Sequence, residues 1–260
     1  MSHCSSFAIR PCATAPGAIL PVAFTPLQGL PTHLVPRGVA FSVGDVLRDA
    51  EGQNMFRVVG MALLPAAAGQ HAVRCAMLET LIPQDAGVEV HCTAVREGYA
   101  LAWVTLSDKG ARGERIDSSG PRIAEMVRVR MPLCHEQGVM LPDDGAMLRA
   151  LLVELALVHG YDLILTTGGT GLGPRDVTPE ITASLIEKRL HGFEQAMMQC
   201  SLAKTPHAAI SRAVAGTLGQ SIIVNLPGSH KAVSENLEAI LPALPHALAK
   251  LQGDPADCGQ

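Results

Sequence analysis

Tyr161-Asp162-Leu163-Ile164-Leu165 runs directly into Thr166-Thr167-Gly168-Gly169-Thr170-Gly171-Leu172-Gly173-Pro174-Arg175-Asp176-Val177-Thr178-Pro179-Glu180. An apolar run that empties into a glycine-rich turn and then a helix start predicts a strand, loop and helix of a parallel α/β sheet. Glycines let backbone amides approach an anion closely, and a helix beginning near Thr178-Pro179 offers unpaired N–H groups and the positive end of its dipole. The stretch therefore predicts a phosphate site. It lacks the Gly-Lys-Ser/Thr ending of a P-loop, and Pro174 stands where the third glycine of a dinucleotide fingerprint would fall, so neither common nucleotide motif applies. Between the glycines and the helix lies Arg175-Asp176. A carboxylate beside a phosphate is repulsive unless a cation bridges the two, so Asp176 points to a magnesium ion.

Strands alternate with helices on both sides of this stretch. Ala100–Leu106, Asp162–Thr166 and Ser221–Leu226 read as strands. Helical periodicity runs from Gly120 to about Arg130 and from Asp144 to Val158, with Leu148, Leu151, Leu152, Leu155 and Val158 on one stripe. Further helices are expected over Thr178 to about Arg189, Glu194–Ala203 and Lys231–Leu251, the last broken by Pro242 and Pro245. Residues 99–254 thus predict a three-layer α/β domain, a mostly parallel sheet with helices on both faces, followed by a flexible tail over 255–260. Residues 38–98 show short apolar runs at Val39–Phe41, Phe56–Met61, Val73–Leu78 and Val88–Val95, separated by turn formers, and predict a small antiparallel β module. Residues 1–37 carry Pro11, Pro16, Pro21, Pro26, Pro31 and Pro36. Those prolines forbid a helix, so the segment is expected as an extended, partly disordered arm, and neither a membrane span nor a signal peptide.

Composition narrows the class. With 260 residues and 48% hydrophobic content the chain can fill a core. A net charge of −4 and a pI near 6.2 leave no electrostatic footprint for nucleic acid. With 3% aromatic residues, stacking platforms for bases are nearly absent, and Trp103 is expected in the core. Cys4, Cys12, Cys75, Cys92, Cys134, Cys200 and Cys258 are odd in number and form no C-x-x-C pair, which predicts a reducing cytoplasm. His91-Cys92 and Cys134-His135 are adjacent pairs whose side chains diverge on extended chain, so no zinc site is expected.

Ligands of parallel sheets bind beyond the carboxyl ends of the strands, and four suggestive turns fall at that edge. They are Ser107-Asp108-Lys109-Gly110, Pro142-Asp143-Asp144, the glycine-rich turn, and Asn225-Leu226-Pro227-Gly228-Ser229. Together, over roughly residues 100 to 250, they resemble the MogA/MoaB family of molybdenum-cofactor biosynthesis, also found as the G domain of gephyrin-like proteins. The resemblance rests on Thr166 to Glu180, and on Ser107-Asp108, Leu141-Pro142-Asp143, Ser211-Arg212 and Asn225-Leu226-Pro227-Gly228 in matching order.

That resemblance implies a homotrimeric, magnesium-dependent molybdopterin adenylyltransferase. The terminal phosphate of molybdopterin would attack the α-phosphate of ATP, releasing pyrophosphate, and the product would pass to a molybdenum insertase. It implies Asp143 and Asp176 as the essential carboxylates and Mg²⁺ ligands. Substrate or nucleotide contacts are implied for Ser107, Asp108, Ser118 and Gly120. From the glycine-rich turn they are implied for Thr167, Gly168, Gly169, Thr170, Gly171 and Arg175. Further along the chain they are implied for Ser211, Arg212, Asn225, Pro227, Gly228 and Ser229. A non-catalytic molybdopterin carrier and a gephyrin-like oligomerisation scaffold are the alternatives. Read without the resemblance, Asp143 and Asp176 fit helix N-termini, Asn225 a turn, Ser107-Asp108 an Asx or Ser turn, and Arg212 a surface ion pair. The chain departs from the family pattern at Gln195, where a carboxylate is usual, at Met198, where Arg is usual, and at His230, where Pro is usual.

Overall fold

Alternating burial along short strands builds the first of two units into which the chain divides, Met1–Glu97 and Gly98–Gln260. The computed structural model describes residues 7–9, 13–23, 33–34, 40–65 and 71–255. In the first unit the strands are β1 (Phe7–Ile9), β2 (Ile19–Ala23), β3 (His33–Leu34), β4 (Val46–Arg48), β5 (Asn54–Leu64), β6 (Val73–Thr80) and β7 (Val90–Val95). They form one sheet in the order β1-β7-β4-β5-β6-β2-β3, antiparallel throughout except for the β2–β3 pair. Cα atoms of β1 and β3, at the two ends of that order, approach within 8 Å, so the sheet curls back on itself. Its inner face is filled by Ile9, Val22, Leu47, Phe56, Val58, Ala76 and Leu78, all fully buried. Arg96 donates to the Val43 carbonyl at 2.8 Å and to Asp45 Oδ1 at 2.9 Å, tying the end of β7 to the approach of β4.

Two expectations change here. The proline-rich segment supplies β1, β2 and β3, while the rest of it lies outside the described residues, as does the tail over 256–260. Pro21 stands opposite Met77, one residue before the β2–β3 pairing begins at Val22, where among the described residues no second strand pairs with it and a missing N–H is tolerated. The strand expected at Val39–Phe41 is not formed at Ala40 or Phe41. Phe41 packs edge-on against Phe7, ring centroids 5.4 Å apart, and the next strand begins at Val46.

In the second unit, near-continuous apolar runs make central strands buried on both faces, as parallel sheets require, flanked by more exposed edge strands. These are β8 (Tyr99–Leu106), β9 (Leu133–Leu141), β10 (Leu163–Thr167), β11 (Lys188–Arg189), β12 (Ala215–Leu218) and β13 (Ser221–Leu226), in the order β11-β12-β13-β10-β8-β9. The four strands β13, β10, β8 and β9 are parallel, and β12 and β11 add an antiparallel edge. Helices α1 (Asp108–Ala111), α2 (Ser119–Arg130), α3 (Gly145–Val153), α4 (Thr178–Ala183), α5 (His191–Leu202), α6 (His230–Ile240) and α7 (Leu244–Leu251) complete it.

Side-chain alternation divides the helices between the faces. Leu101, Leu163, Leu165, Ile222 and Val224 share a core with Ile123 and Val127 of α2, Met197 of α5, Val233 and Leu237 of α6, and Leu248 of α7. Each such buried side chain contributes about 1.5–3 kcal/mol. From the opposite side of β13, Asn225 reaches Thr182 of α4, and α4 packs on α3. Helix α3 passes into a π-helical turn, Glu154–His159, and is stopped by Gly160 at φ +70°. The helix expected from Thr178 to Arg189 ends at Ala183, because the chain turns so that Ile186 and Lys188 lie against Gly216 of β12. The break expected near Pro242 and Pro245 falls between α6 and α7.

Candidate functional site

The parallel strands end in register. Leu106 pairs with Leu141, Thr105 with Thr167, and Thr167 with Leu226, so the turns that follow all leave the same edge of the sheet. They surround a cavity of about 260 Å³ lined by Ser107, Ser118, Thr167, Gly168, Gly169, Gly228, Asp143 and Asp176 among others.

Ser107 caps α1, its Oγ accepting from the Gly110 N–H at 3.1 Å. The neighbouring turns are laced to each other: Asp143 N–H donates to Asp108 Oδ1 at 3.2 Å, and Asp108 N–H to Asp143 Oδ2 at 3.4 Å. Arg175 closes this corner from the glycine-rich turn. Its guanidinium donates to both oxygens of Asp108, with Nη2 2.9 Å from Oδ1, and to the Asp143 carbonyl at 3.0 Å. The helix-cap alternative for Asp143 fails, since it is Asp144 that caps α3 by accepting from Met147 N–H at 2.9 Å. Asp176 does not cap α4 either. Its Oδ2 accepts from Gly173 N–H at 2.7 Å, back into its own loop.

Gly168 and Gly169 adopt φ +100° and +66°, conformations that L side chains rarely take. A Cβ on Gly168 would lie 2.5 Å from the Leu106 carbonyl oxygen. Thr178 pins the loop, Oγ1 donating to the Gly168 carbonyl at 3.0 Å and its N–H to the Gly169 carbonyl at 3.2 Å. Arg212 pins the far side, donating to the Gly171 carbonyl at 2.9 Å and the Asp176 carbonyl at 2.6 Å while pairing with Glu180. Among the described residues, the N–H groups of Gly169, Thr170 and Gly171 find no acceptor in the protein. Gly169 lines the cavity with the aspartates, and Thr170 and Gly171 line the hollow beside it, so the unbonded amides are donors available to an anion. This corrects the source of the expected positive end: α4 has only six residues, so the loop amides and not a long helix dipole offer the donors.

Sequence reasoning missed Asp117, which lines the same cavity. Its Oδ1 accepts from the Ser119 and Gly120 N–H groups at 3.0 and 2.9 Å, and its Oδ2 from the Thr105 hydroxyl at 2.8 Å. Asp two residues before a helix start is a capping signal that was available in the sequence. Arg115, Met140 and Thr105 also line the cavity and were not foreseen.

Several expected contacts lie elsewhere. Asn225 is fully buried beneath the turn, donating to Thr166 and Thr182 hydroxyls at 2.9 Å each, because its position on β13 faces α4. Gly120 is buried against Trp103, with no room for a Cβ, and Ser229 caps α6 by accepting from Ala232 N–H at 3.2 Å. Thr170, Gly171, Ser211, Pro227 and Gly228 line an adjoining hollow of about 320 Å³, which shares Gly228 with the first. Gln195 and Met198 line a third, of about 540 Å³, that includes none of the aspartates. Glu194 is structural: it bonds Arg189 at 2.9 Å and accepts from Ala215 N–H at 3.0 Å. Burial pushes its carboxyl up, but Arg189, the Ala215 N–H and His191 outweigh this and hold it below the ordinary range. His230 opens α6 and is exposed.

The donor set suits Mg²⁺. Asp143 and Asp176 line one cavity and each keeps its Oδ1 free of hydrogen bonds among the described residues. Mg²⁺ is typically held by one or two carboxylates and completes its octahedron with water and substrate phosphates. Among the described residues no three His, Cys, Asp or Glu side chains gather to hold a metal unaided.

A parallel sheet with unbonded loop amides and two carboxylates at its carboxyl edge has the layout of the ligand-binding edge of α/β proteins. Residues 102–246 match the family described as a probable molybdopterin binding domain, and the chain belongs to this MogA/MoaB family. It is 38% identical over 168 residues to a gephyrin of Dictyostelium discoideum, a match covering 61% of this chain and 23% of that protein. It is 35% identical over 153 residues to a molybdopterin adenylyltransferase of Helicobacter pylori, covering 58% of this chain and 86% of that one. Among solved structures, the molybdopterin biosynthesis enzyme MoaB of Thermus thermophilus shares 44% identity at a TM-score of 0.54, covering 61% of this chain and 99% of its own. No helix among the described residues is long and apolar enough to cross a membrane.

Proposed function

We propose that this chain is a molybdopterin adenylyltransferase that transfers AMP from ATP to the terminal phosphate of molybdopterin, acts as a homotrimer and hands its product to a molybdenum insertase. The observation that carries the reading is the Gly168–Gly169 turn, with its unbonded Gly169 amide, lining one cavity with Asp143 and Asp176: a place for phosphate with acids for its counter-cation. The resemblance to named adenylyltransferases supports the same reaction. The unbridged thiols of Cys75, Cys92 and Cys200 support a reducing compartment such as the cytoplasm.

An oxygen of the pterin phosphate forms a bond to the α-phosphorus of ATP as the bond to the bridging α,β oxygen breaks, and pyrophosphate leaves with that electron pair. The attacking phosphate is already ionised near neutral pH, so positioning and charge stabilisation do the work and no strong base is needed. A bound Mg²⁺, held by Asp143 and Asp176, would supply neutralisation of the triphosphate. The loop amides of Gly169–Gly171 hydrogen-bond phosphate oxygens. Thr178 and Arg212 keep those amides fixed, and the Arg175–Asp108–Asp143 corner keeps the acids at their positions.

Purified protein with ATP, Mg²⁺ and molybdopterin is expected to release pyrophosphate, and Asp143→Asn and Asp176→Asn each to slow release by about 100-fold or more. Unchanged turnover in both variants defeats the mechanism. Tight molybdopterin binding without release points to a carrier, and failure to bind pterin or nucleotide to a gephyrin-like scaffold.

A further inference from the structure

Among the described residues lining the 260 Å³ cavity, Arg115 is the sole cationic side chain, set against Asp117, Asp143 and Asp176. The other guanidiniums around the site are engaged. Arg175 clasps Asp108, Arg212 pairs with Glu180, and Arg112 pairs with Glu114 at 2.7 Å. Arg115 is exposed and, among the described residues, donates to nothing in the protein. Its backbone is nevertheless held on the C-terminal side, because Asp117, two residues on, is bonded to Thr105, Ser119 and Gly120. A cavity with more acids than cations repels a polyphosphate until a cation compensates, and an unpaired planar guanidinium is suited to bidentate phosphate recognition.

We propose that Arg115 is a phosphate-binding residue of this cavity, taking up a phosphate group of the incoming ligand in the space it lines together with Gly168 and Gly169. The proposal rests on the cavity being the phosphate site of the adenylyl-transfer reading. Nothing inside the protein competes for the guanidinium, so its donors are given to ligand without breaking an ion pair. The phosphate has two possible sources, the triphosphate of ATP and the monophosphate of the pterin.

The test compares the full-length chain with Arg115→Ala and Arg115→Lys. Thermal midpoints are expected to be unchanged, because the side chain is exposed and unpaired. KM is expected to rise about tenfold or more in Arg115→Ala, with partial recovery in Arg115→Lys, which keeps the charge but loses the fork. A rise confined to KM for ATP assigns Arg115 to the triphosphate, and a rise confined to KM for molybdopterin assigns it to the pterin phosphate. Unchanged KM for both overturns the proposal. Calorimetric titration with inorganic pyrophosphate and with inorganic phosphate, each with Mg²⁺, decides independently of turnover. If wild type releases no pyrophosphate, the adenylyl-transfer reading fails, while weaker binding of either anion to Arg115→Ala still upholds the role of Arg115. Equal binding by both proteins, or no binding by wild type, overturns it.

Discussion

Gly168→Ala isolates what the glycine-rich turn contributes. At φ +100° an alanine stores about 1–3 kcal/mol of backbone strain. Its Cβ would also sit 2.5 Å from the Leu106 carbonyl oxygen, a backbone atom of the residue that pairs with Leu141 in the β8–β9 ladder, which adds about 1–3 kcal/mol of overpacking. The expected loss is about 2–6 kcal/mol, a large part of a domain's stability. Relief of the clash requires the turn to move by about 1 Å, and a displacement of that size can cost about 100-fold in rate. Gly98→Ala is the matched control: its φ is +102° and its Cβ would meet the Pro132 carbonyl oxygen at 2.5 Å, at the start of β8 and away from the cavity. Urea unfolding followed by fluorescence of Trp103, the single tryptophan and part of the second unit's core, gives the stability of each. Both variants are expected to be destabilised alike, and Gly168→Ala alone to lose pyrophosphate release beyond its folded fraction. A loss below about 1 kcal/mol for Gly168→Ala, or equal losses of turnover in the two, refutes the reasoning.

Asp117→Ala removes the acceptor for two α2 amides and the Thr105 hydroxyl, and is expected to cost about 1–2 kcal/mol in the same urea assay. Asp117→Asn, which keeps an acceptor oxygen, is expected to fall between it and wild type; an Asp117→Ala as stable as wild type contradicts the capping role. In the first unit, burial, aided by the charge of Asp49, pushes the Cys92 thiol from 9.0 up to about 12. The folded state therefore holds this proton more tightly: the stabilisation is complete below about pH 9 and is lost as pH rises toward about 12, at about 1.4 kcal/mol per pH unit. Iodoacetamide labelling of Cys92 across urea, read by mass spectrometry between about pH 8 and 11, should show the midpoint falling above pH 9. A midpoint independent of pH over that range rejects it.

The site was legible where local chemistry decides it. An apolar run followed by glycines that must take positive φ marks β10 and its turn, and Gly168 and Gly169 do take it. Asp143 and Asp176 were found through their motifs, but whether they cap helices could be decided only by seeing Asp144 accept from Met147 and Asp176 bond Gly173. Asn225 carried the same kind of motif signal and is buried on the far side of its strand, because a one-residue alternation in β13 sets which face it serves. Strand β11 was illegible for a different reason. Ser184-Leu185-Ile186-Glu187-Lys188 suits continued helix, and only the approach of Gly216 to Ile186, with no side chain between, pulls it into the sheet.

By itself the sequence determined that the chain has a parallel α/β domain with a glycine-rich turn at the carboxyl edge of its sheet, and that its motifs are those of the MogA/MoaB family. These follow from hydrophobic period, turn chemistry and motif spacing, all local along the chain. Tertiary structure decided that part of the proline-rich segment joins a curled seven-stranded sheet, since strand pairing there links Phe7 to Cys92 and Ile19 to Glu79 across long separations. It also decided which cations are free. Arg175, Arg212 and Arg115 look alike in sequence, and only the folded placement of Asp108 and Glu180 neutralises the first two and leaves the third facing the cavity unpaired.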